Sequence, residues 1–318
     1  MTHTVAIPSY RRPDLLRRVL EGLMIQERPA EEVIIVARIE DEDTQRVVQE
    51  FQSKLPVNLQ LVEGPGMIIP VNRALDTATG DIVSLIDDDA VPNPDWARRI
   101  IEVFEAEPDL AGLGGKDHIC VDGEWWNGQS QVVGIVHWYG LVVGNHHLGI
   151  GPRRNVDILK GVNMSFRMSA LGTCRMDTRL RGSGAVVCCD LKLSLDLRAQ
   201  GKRLAYDPAI VVFHYPGPRS DDDMRVDFEP SAYERRMFNL TLALLDYLSP
   251  PGRILLLLYA FSIGIKNGYC GALKTLLYWP RLGYLPWRRG LASARGVYAA
   301  WKAYRASTTA PTLDEGTF

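Results

Sequence analysis

A chain of 318 residues is long enough to bury a full core, as one large domain or two small ones. Its net charge of −2, with 46% hydrophobic and 23% charged residues, is ordinary for a soluble globular protein. No basic patch interleaved with base-stacking aromatics accompanies the acidic cluster discussed below, so nothing in the balance points to nucleic acid.

The first 115 residues alternate strand and helix patterns. Thr4 to Pro8 reads as a short apolar strand entered almost at once, so no signal peptide is expected. Pro13-Asp14 opens a helix whose Leu15, Leu16, Val19, Leu20, Leu23 and Met24 form one face. Glu32 to Val36 is a second buried strand, followed by a helix over about 43–54 with Val47, Val48 and Phe51 inward. Asn58 to Val62, a helix over 71–77, Asp81 to Ile86, a helix over 96–105 and Leu110 to Leu113 complete the pattern. Such alternation predicts right-handed crossovers and a mostly parallel sheet with helices on both faces. In sheets of this kind ligands bind beyond the carboxyl ends of the strands. The loops at 8–12, 37–41 and 87–89 should therefore open onto one edge.

The last of these loops, Asp87-Asp88-Asp89, closes the apolar run Ile82-Val83-Ser84-Leu85-Ile86. Three adjacent carboxylates repel one another and raise each other's pKa unless a cation offsets them. Hard oxygen ligands suit Mg²⁺ or Mn²⁺, which commonly share a substrate's phosphates. The plainer alternative is an acidic turn ahead of the next helix.

The middle section, 116–216, is less regular. It holds Asn145-His146-His147, the segment Lys160 to Arg167, an exposed loop at Arg179 to Gly184 and a helix from Asp190 to Ala199. A strand from Ala209 to Phe213 follows, with His214 at its end. Asp221-Asp222-Asp223 lies in a Pro/Ser-rich stretch and reads as solvated. From Tyr247 to Leu313 there is no acidic residue, while nine basic ones are present. The apolar run of about a dozen residues after Arg253 is too short for a bilayer core, which needs roughly 20. It is either a buried helix or a helix lying in a membrane interface, where Trp279, Tyr284, Trp287, Arg288 and Arg289 suit the headgroup layer. The five cysteines show no Cys-x-x-Cys and no framework spacing, so reduced thiols are expected.

Taken together these segments resemble glycosyltransferase family 2, the inverting GT-A enzymes that use nucleotide-activated sugars. The resemblance covers about residues 4–245. Val5-Ala6-Ile7-Pro8-Ser9-Tyr10-Arg11-Arg12-Pro13 is similar to the family's first strand and nucleotide loop. Asn72 within Pro70 to Ala74, then Gly80-Asp81-Ile82-Val83, resemble its donor-side helix and the strand to the DxD site, and Asp87-Asp88-Asp89 resembles the DxD motif. Lys160 to Arg167 is similar to the acceptor-side segment, and Asp190 to Leu195 to the helix headed by the acidic base. Tyr206-Asp207-Pro208 and the strand ending at His214 resemble the closing elements. Two departures stand out. Ala37-Arg38-Ile39-Glu40-Asp41 replaces an Asp-rich base-reading loop, and Cys189 stands where an acid usually precedes Asp190.

The resemblance implies a metal-dependent inverting transfer of a sugar from a nucleotide-diphosphate donor, UDP-sugar favoured, to a hydroxyl of a glycan or lipid-linked acceptor. Mn²⁺ or Mg²⁺ would rest on Asp89 with His214, and Asp190 would be the general base, its plainer alternative being a helix N-cap. Pro8, Tyr10, Arg12, Arg38, Asp41, Asn72, Asp87 and Asp88 are the donor-binding candidates; His146, His147 and Asn163 are the acceptor-side ones. His214 as a structural residue, and His146-His147 as local turn packing, stay open as alternatives. The implied layout is a nucleotide-sugar half at 1–115, an acceptor and catalytic half at 116–245, a basic amphipathic helical region at 246–307 and a flexible tail at 308–318. A cytoplasmic protein, peripheral at the inner face of the cell membrane, is the corresponding expectation. A sugar-nucleotide pyrophosphorylase would carry a Gly-rich phosphate loop after the first strand, which Pro8 to Arg12 is not. A silent nucleotide- or glycan-binding scaffold is the remaining alternative.

Overall fold

The computed structural model describes residues 1–217, 228–264 and 268–309. The chain divides into two compact units, one of Met1–His137 with Leu141–Asp223, the other of Trp138–Gly140 with Met224–Phe318. Asp221-Asp222-Asp223, Lys266 and the tail from 310 onward lie outside the described residues.

The first unit opens with β1 (His3–Pro8), α1 (Pro13–Met24), β2 (Glu32–Arg38), α2 (Glu42–Phe51), β3 (Val57–Val62), α3 (Ile68–Thr77) and β4 (Ile82–Ile86). β5 (Ala90–Pro92), α4 (Trp96–Ala106) and β6 (Leu110–Val121) follow. The chain then runs through the short strands β7 (Glu124–Trp125), β8 (Ile135–Val136), β9 (Val142–Val143) and β10 (Arg154–Val156). The unit closes with β11 (Asn163–Arg167), α5 (Met168–Leu171), α6 (Cys189–Ala199) and β12 (Arg203–His214). The alternating apolar runs account for the helices. α1 buries Leu16, Val19, Leu20 and Leu23 on one stripe, although Met24, assigned to that face by spacing, is exposed.

β3, β2, β1 and β4 pair in parallel, as alternation of strand and helix requires. The next neighbour of β4 is β11, not the next long strand in the chain, and β11 runs antiparallel to both β4 and β6. The sheet is thus mixed and mostly parallel. β6 extends eight residues beyond the expected Leu113 and pairs in parallel with β12. Its run of glycines looks like a break in the sequence, yet it permits close packing. A Cβ on Gly115 would lie 2.2 Å from both Asn163 Nδ2 and the Ile210 carbonyl oxygen. The longer β6 carries Asp117 to the carboxyl edge beside β12.

The second unit is helical, with α7 (Pro230–Tyr247), α8 (Pro250–Ser262), α9 (Ala272–Leu282) and α10 (Leu285–Thr309). α7 begins at Pro230, where the sequence alone places the catalytic half's end at 245, and α10 runs past the expected limit of 307. Gly296 of α10 packs against α7 so closely that a Cβ would lie 2.4 Å from the Glu234 carbonyl oxygen. The apolar run after Arg253 forms most of α8, which buries only Gly252, Leu256 and Ala260; a buried helix is therefore not what it makes. No helix among the described residues is long and apolar enough to cross a membrane.

Candidate active site

Parallel pairing of β1, β2 and β4 brings the loops after them to one edge, where they line an open cleft. Pro8, Tyr10, Arg12, Arg38, Asp87, Asp88 and Asp89 line it, so most of the donor-side candidates converge. Gly66 and Met67 before α3 and Gly184 and Ala185 before α6 line it too; of these the sequence named only Gly184, as the end of an exposed loop. The Arg38 guanidinium lies 3.6 Å from the centre of the Tyr10 ring, a stacked pair at the cleft wall.

The three aspartates have different roles. Asp88 is buried and accepts from Ser9 Oγ at 2.8 Å and from Arg12 Nη1 at 2.8 Å, so it fastens the loop after β1. Burial raises its pKa against the opposing charge of Arg12. Asp87 and Asp89 instead group with His214, one ligand atom from each lying within 4.8 Å of the others. Asp87, grouped with Asp88 on the donor side in the sequence, thus stands with Asp89 and His214 in the fold. The register explains the grouping: β12 pairs antiparallel with β5, setting His214 opposite Ala90 and next to Asp89.

The donor set fits a divalent cation. Asp89 Oδ1 is buried and accepts no hydrogen bond, although His214 Nε2 stands 3.3 Å away as an ion-pair partner. An orphaned carboxylate oxygen beside an imidazole and a second carboxylate is a hard, mixed O/N ligand set. Asp89 Oδ2 is held by Arg12 Nη1 and the Gly217 N–H, both at 3.2 Å. Burial raises the pKa of Asp89, but contact with His214 and the charge of Arg12 outweigh it and leave it lowered.

Sequence reasoning missed Asp117 and named Lys160 only as the start of the acceptor-side segment. Asp117 is fully buried on β6 and faces His214 Nδ1 at 3.4 Å, while Lys160 Nζ pairs with its Oδ2. A carboxylate behind a metal-binding imidazole fixes ring orientation and tautomer. An acid between Lys116 and His118, just after an apolar and glycine run, was the available signal, hidden because Asp117 lay beyond the expected strand end. Burial lowers the pKa of His214, but its contacts with Asp117 and Asp89 overcome this and raise it to about 9.

A metal ion taken up by His214 would therefore have to displace a proton at neutral pH. Mn²⁺ affinity, read by calorimetry or by the EPR signal of the free ion, is expected to rise about tenfold per pH unit below about pH 9 and then level off. The metal-free fold is expected to follow the opposite trend. The stabilisation held by the raised His214 pKa is complete below 6.5 and is lost as pH climbs through about 9. A flat affinity from pH 6 to 8 would exclude His214 as a ligand.

Asp190 lies one residue inside α6 and is not its N-cap; Cys188, at φ 73°, holds that position. Its Oδ2 accepts from the Gly161 N–H at 3.0 Å and its Oδ1 from the Leu191 N–H at 2.8 Å. The adjacent residues Lys160 and Gly161 thus hold Asp117 and Asp190 respectively. Asp190 is partly exposed, and each oxygen keeps a second lone pair.

Other candidates take structural places. Asp41 caps α2 through Thr44 and accepts from the Arg11 N–H at 2.5 Å, so it anchors the Tyr10–Arg12 loop from behind. Asn72 clamps the Met176 backbone with both ends of its amide. Asn163 is buried in the sheet, accepting from Trp96 Nε1 and donating to the Lys116 and Ile210 carbonyls. His146 is buried, bonded to the Ile158 carbonyl and packed on Tyr206, which favours turn packing over acceptor contact. His147 is half-buried with its ring edge-on to Trp126. All five cysteines are free thiols.

A mostly parallel α/β sheet whose fourth strand ends in a cation-ready carboxylate cluster at a cleft, with a histidine-tipped strand set beside that cluster, is the GT-A arrangement. The chain belongs to the family described as glycosyltransferase like family 2, whose model matches residues 2–238. A glucosyl-dolichyl phosphate glucuronosyltransferase of Haloferax volcanii is 30% identical over 212 residues, 65% of this chain and 66% of the relative. The chain thus matches just under two thirds of that relative's length. The fold is shared with the mannosyltransferase PcManGT of Pyrobaculum calidifontis, solved with GDP-Man and Mn²⁺ (TM-score 0.56, 20% identity, 96% of this chain and 83% of that one). It is likewise shared with Staphylococcus aureus TarS solved with UDP-GlcNAc (TM-score 0.59, 16% identity, 96% and 92%).

Proposed function

We propose that the protein is an inverting glycosyltransferase that moves a sugar from a nucleoside diphosphate donor to a hydroxyl of a glycan or lipid-linked acceptor. The observation that carries this reading is the convergence of Asp87, Asp89 and His214 at a cleft lined by Tyr10, Arg12 and Arg38. The Tyr10–Arg38 stack offers a flat wall to a base, and Arg12, already paired with Asp88 and Asp89, keeps cationic charge beside the phosphate end. Mn²⁺ or Mg²⁺ held by Asp89 and His214, with Asp87 near, would supply charge neutralisation for the departing diphosphate. Asp190, held at its inner edge by Gly161 and Leu191, takes the proton of the attacking acceptor hydroxyl. Attack opposite the diphosphate in one displacement inverts the anomeric centre.

UDP-sugar is the favoured donor and GDP-sugar its competitor, since similar folds were solved with UDP or UDP-GlcNAc in TarS and GalNAc-T7 and with GDP-Man in PcManGT. Calorimetric titration of UDP, GDP, dTDP and CDP, each with and without Mn²⁺, tests the reading. Tight, metal-dependent binding of one of them supports it and assigns the base. Metal-independent or absent binding by all four rejects it.

A further inference from the structure

The second unit turns apolar side chains outward on three successive helices. α8 buries only the stripe Gly252, Leu256 and Ala260, and presents Ile254, Leu258 and Phe261 to solvent, Ile254 at 62% exposure. α9 buries Thr275 alone and exposes Leu273, Leu276, Leu277 and Leu282. On α10, Ala292, Gly296 and Ala300 are buried, while Trp287, Leu291 and Tyr298 share an outward stripe at helical spacing. A soluble helix does the reverse, turning its apolar stripe to the core. Exposed apolar surface this concentrated marks a binding surface.

Charge identifies the occupant. Between Tyr247 and Thr309 there is no acidic residue, and Arg281, Arg288, Arg289, Arg295 and Lys302 are exposed on the same helices. Trp279 and Trp287 meet edge to face at 5.8 Å, both exposed, and Tyr284 beside them is 81% exposed. Indole and phenol rings with arginines are the side chains of a headgroup layer. α8 and α9, with 13 and 11 residues, reach about 20 Å and 17 Å at 1.5 Å per residue, short of a hydrocarbon core of about 30 Å. They are suited to lying in the interface plane. A second copy of the chain is a poor partner, because a two-fold contact would face this cationic surface with itself.

We infer that α8, α9 and the first half of α10 form a monotopic docking surface for an anionic lipid bilayer. This is independent of the sugar-transfer reading, and its test leaves the cleft untouched. The full chain is floated with phosphatidylcholine vesicles and with vesicles containing roughly one third phosphatidylglycerol, in low and high salt. At least about tenfold more protein is expected on the anionic vesicles, most of it lost in high salt. Leu276→Ser with Leu277→Ser, both at exposed positions, is expected to lower anionic binding about tenfold while nucleotide binding at the cleft and the circular dichroism stay unchanged. Equal recovery with both vesicle types, or no loss in the double variant, overturns the inference. So does a stable dimer in light scattering that the same pair of substitutions dissociates.

Discussion

Asp190→Asn is expected to lower sugar transfer by about 10²–10⁴-fold while leaving Mn²⁺ and nucleotide affinity unchanged. The carboxylate is positioned by the backbone N–H groups of Gly161 and Leu191, one on each oxygen. An amide can accept from only one of them through its oxygen, so one backbone donor loses its partner, at a cost of about 1 kcal/mol at this partly exposed site. The rate loss corresponds to roughly 3–5 kcal/mol and exceeds that structural cost, because an amide cannot take a proton. Steady-state rates with donor and acceptor, beside calorimetry of the nucleotide, separate the two effects. A rate within about threefold of the parent would remove Asp190 from the chemistry. Parallel loss of nucleotide binding would make it a structural residue of α6.

The second large effect is expected at Asp89. Asp89→Asn should reduce Mn²⁺ affinity by about 100-fold or more, and metal-dependent nucleotide binding with it. Its Oδ1 is the buried oxygen without a donor, whereas its Oδ2 is spent on Arg12 and Gly217. Asp88→Asn is the matching control. That side chain faces Ser9 and Arg12, so its loss should loosen the loop after β1 and weaken nucleotide binding while Mn²⁺ affinity changes by less than about tenfold. Equal losses of Mn²⁺ affinity in both variants would mean that the triplet acts as an undivided acidic patch. Measurement by EPR of free Mn²⁺ keeps the readout separate from turnover.

Two cationic side chains stand against the charge of the aspartates. Arg12 bridges Asp88 and Asp89, and His214, its pKa raised to about 9, faces Asp89 from the other side. The repulsion anticipated from three adjacent acids is offset by side chains from β12 and from the loop after β1.

The sequence by itself determined what depends on local periodicity. The apolar stripes of α1, α2 and α4, the strands β1 to β4 and the carboxylates ending β4 are set by side-chain spacing and by turn residues within a few positions of each other. Parallel pairing then follows from short crossover helices, and with it the convergence of the 8–12 and 87–89 loops at one edge. Tertiary structure decided what depends on pairing between distant segments. The insertion of β11 antiparallel beside β4, the length of β6 through its glycines, and the register of β12 on β5 have no local signature. Those pairings sort Asp87 and Asp89 from Asp88 and bring Asp117 behind His214. They also place Asn163 inside the sheet, where its amide joins Trp96 to β12 and cannot meet an acceptor. Residue type alone cannot separate a buried hydrogen-bonded Asn or His from one that faces a ligand, since the same groups satisfy either partner; burial separates them, and burial is a property of the assembled fold.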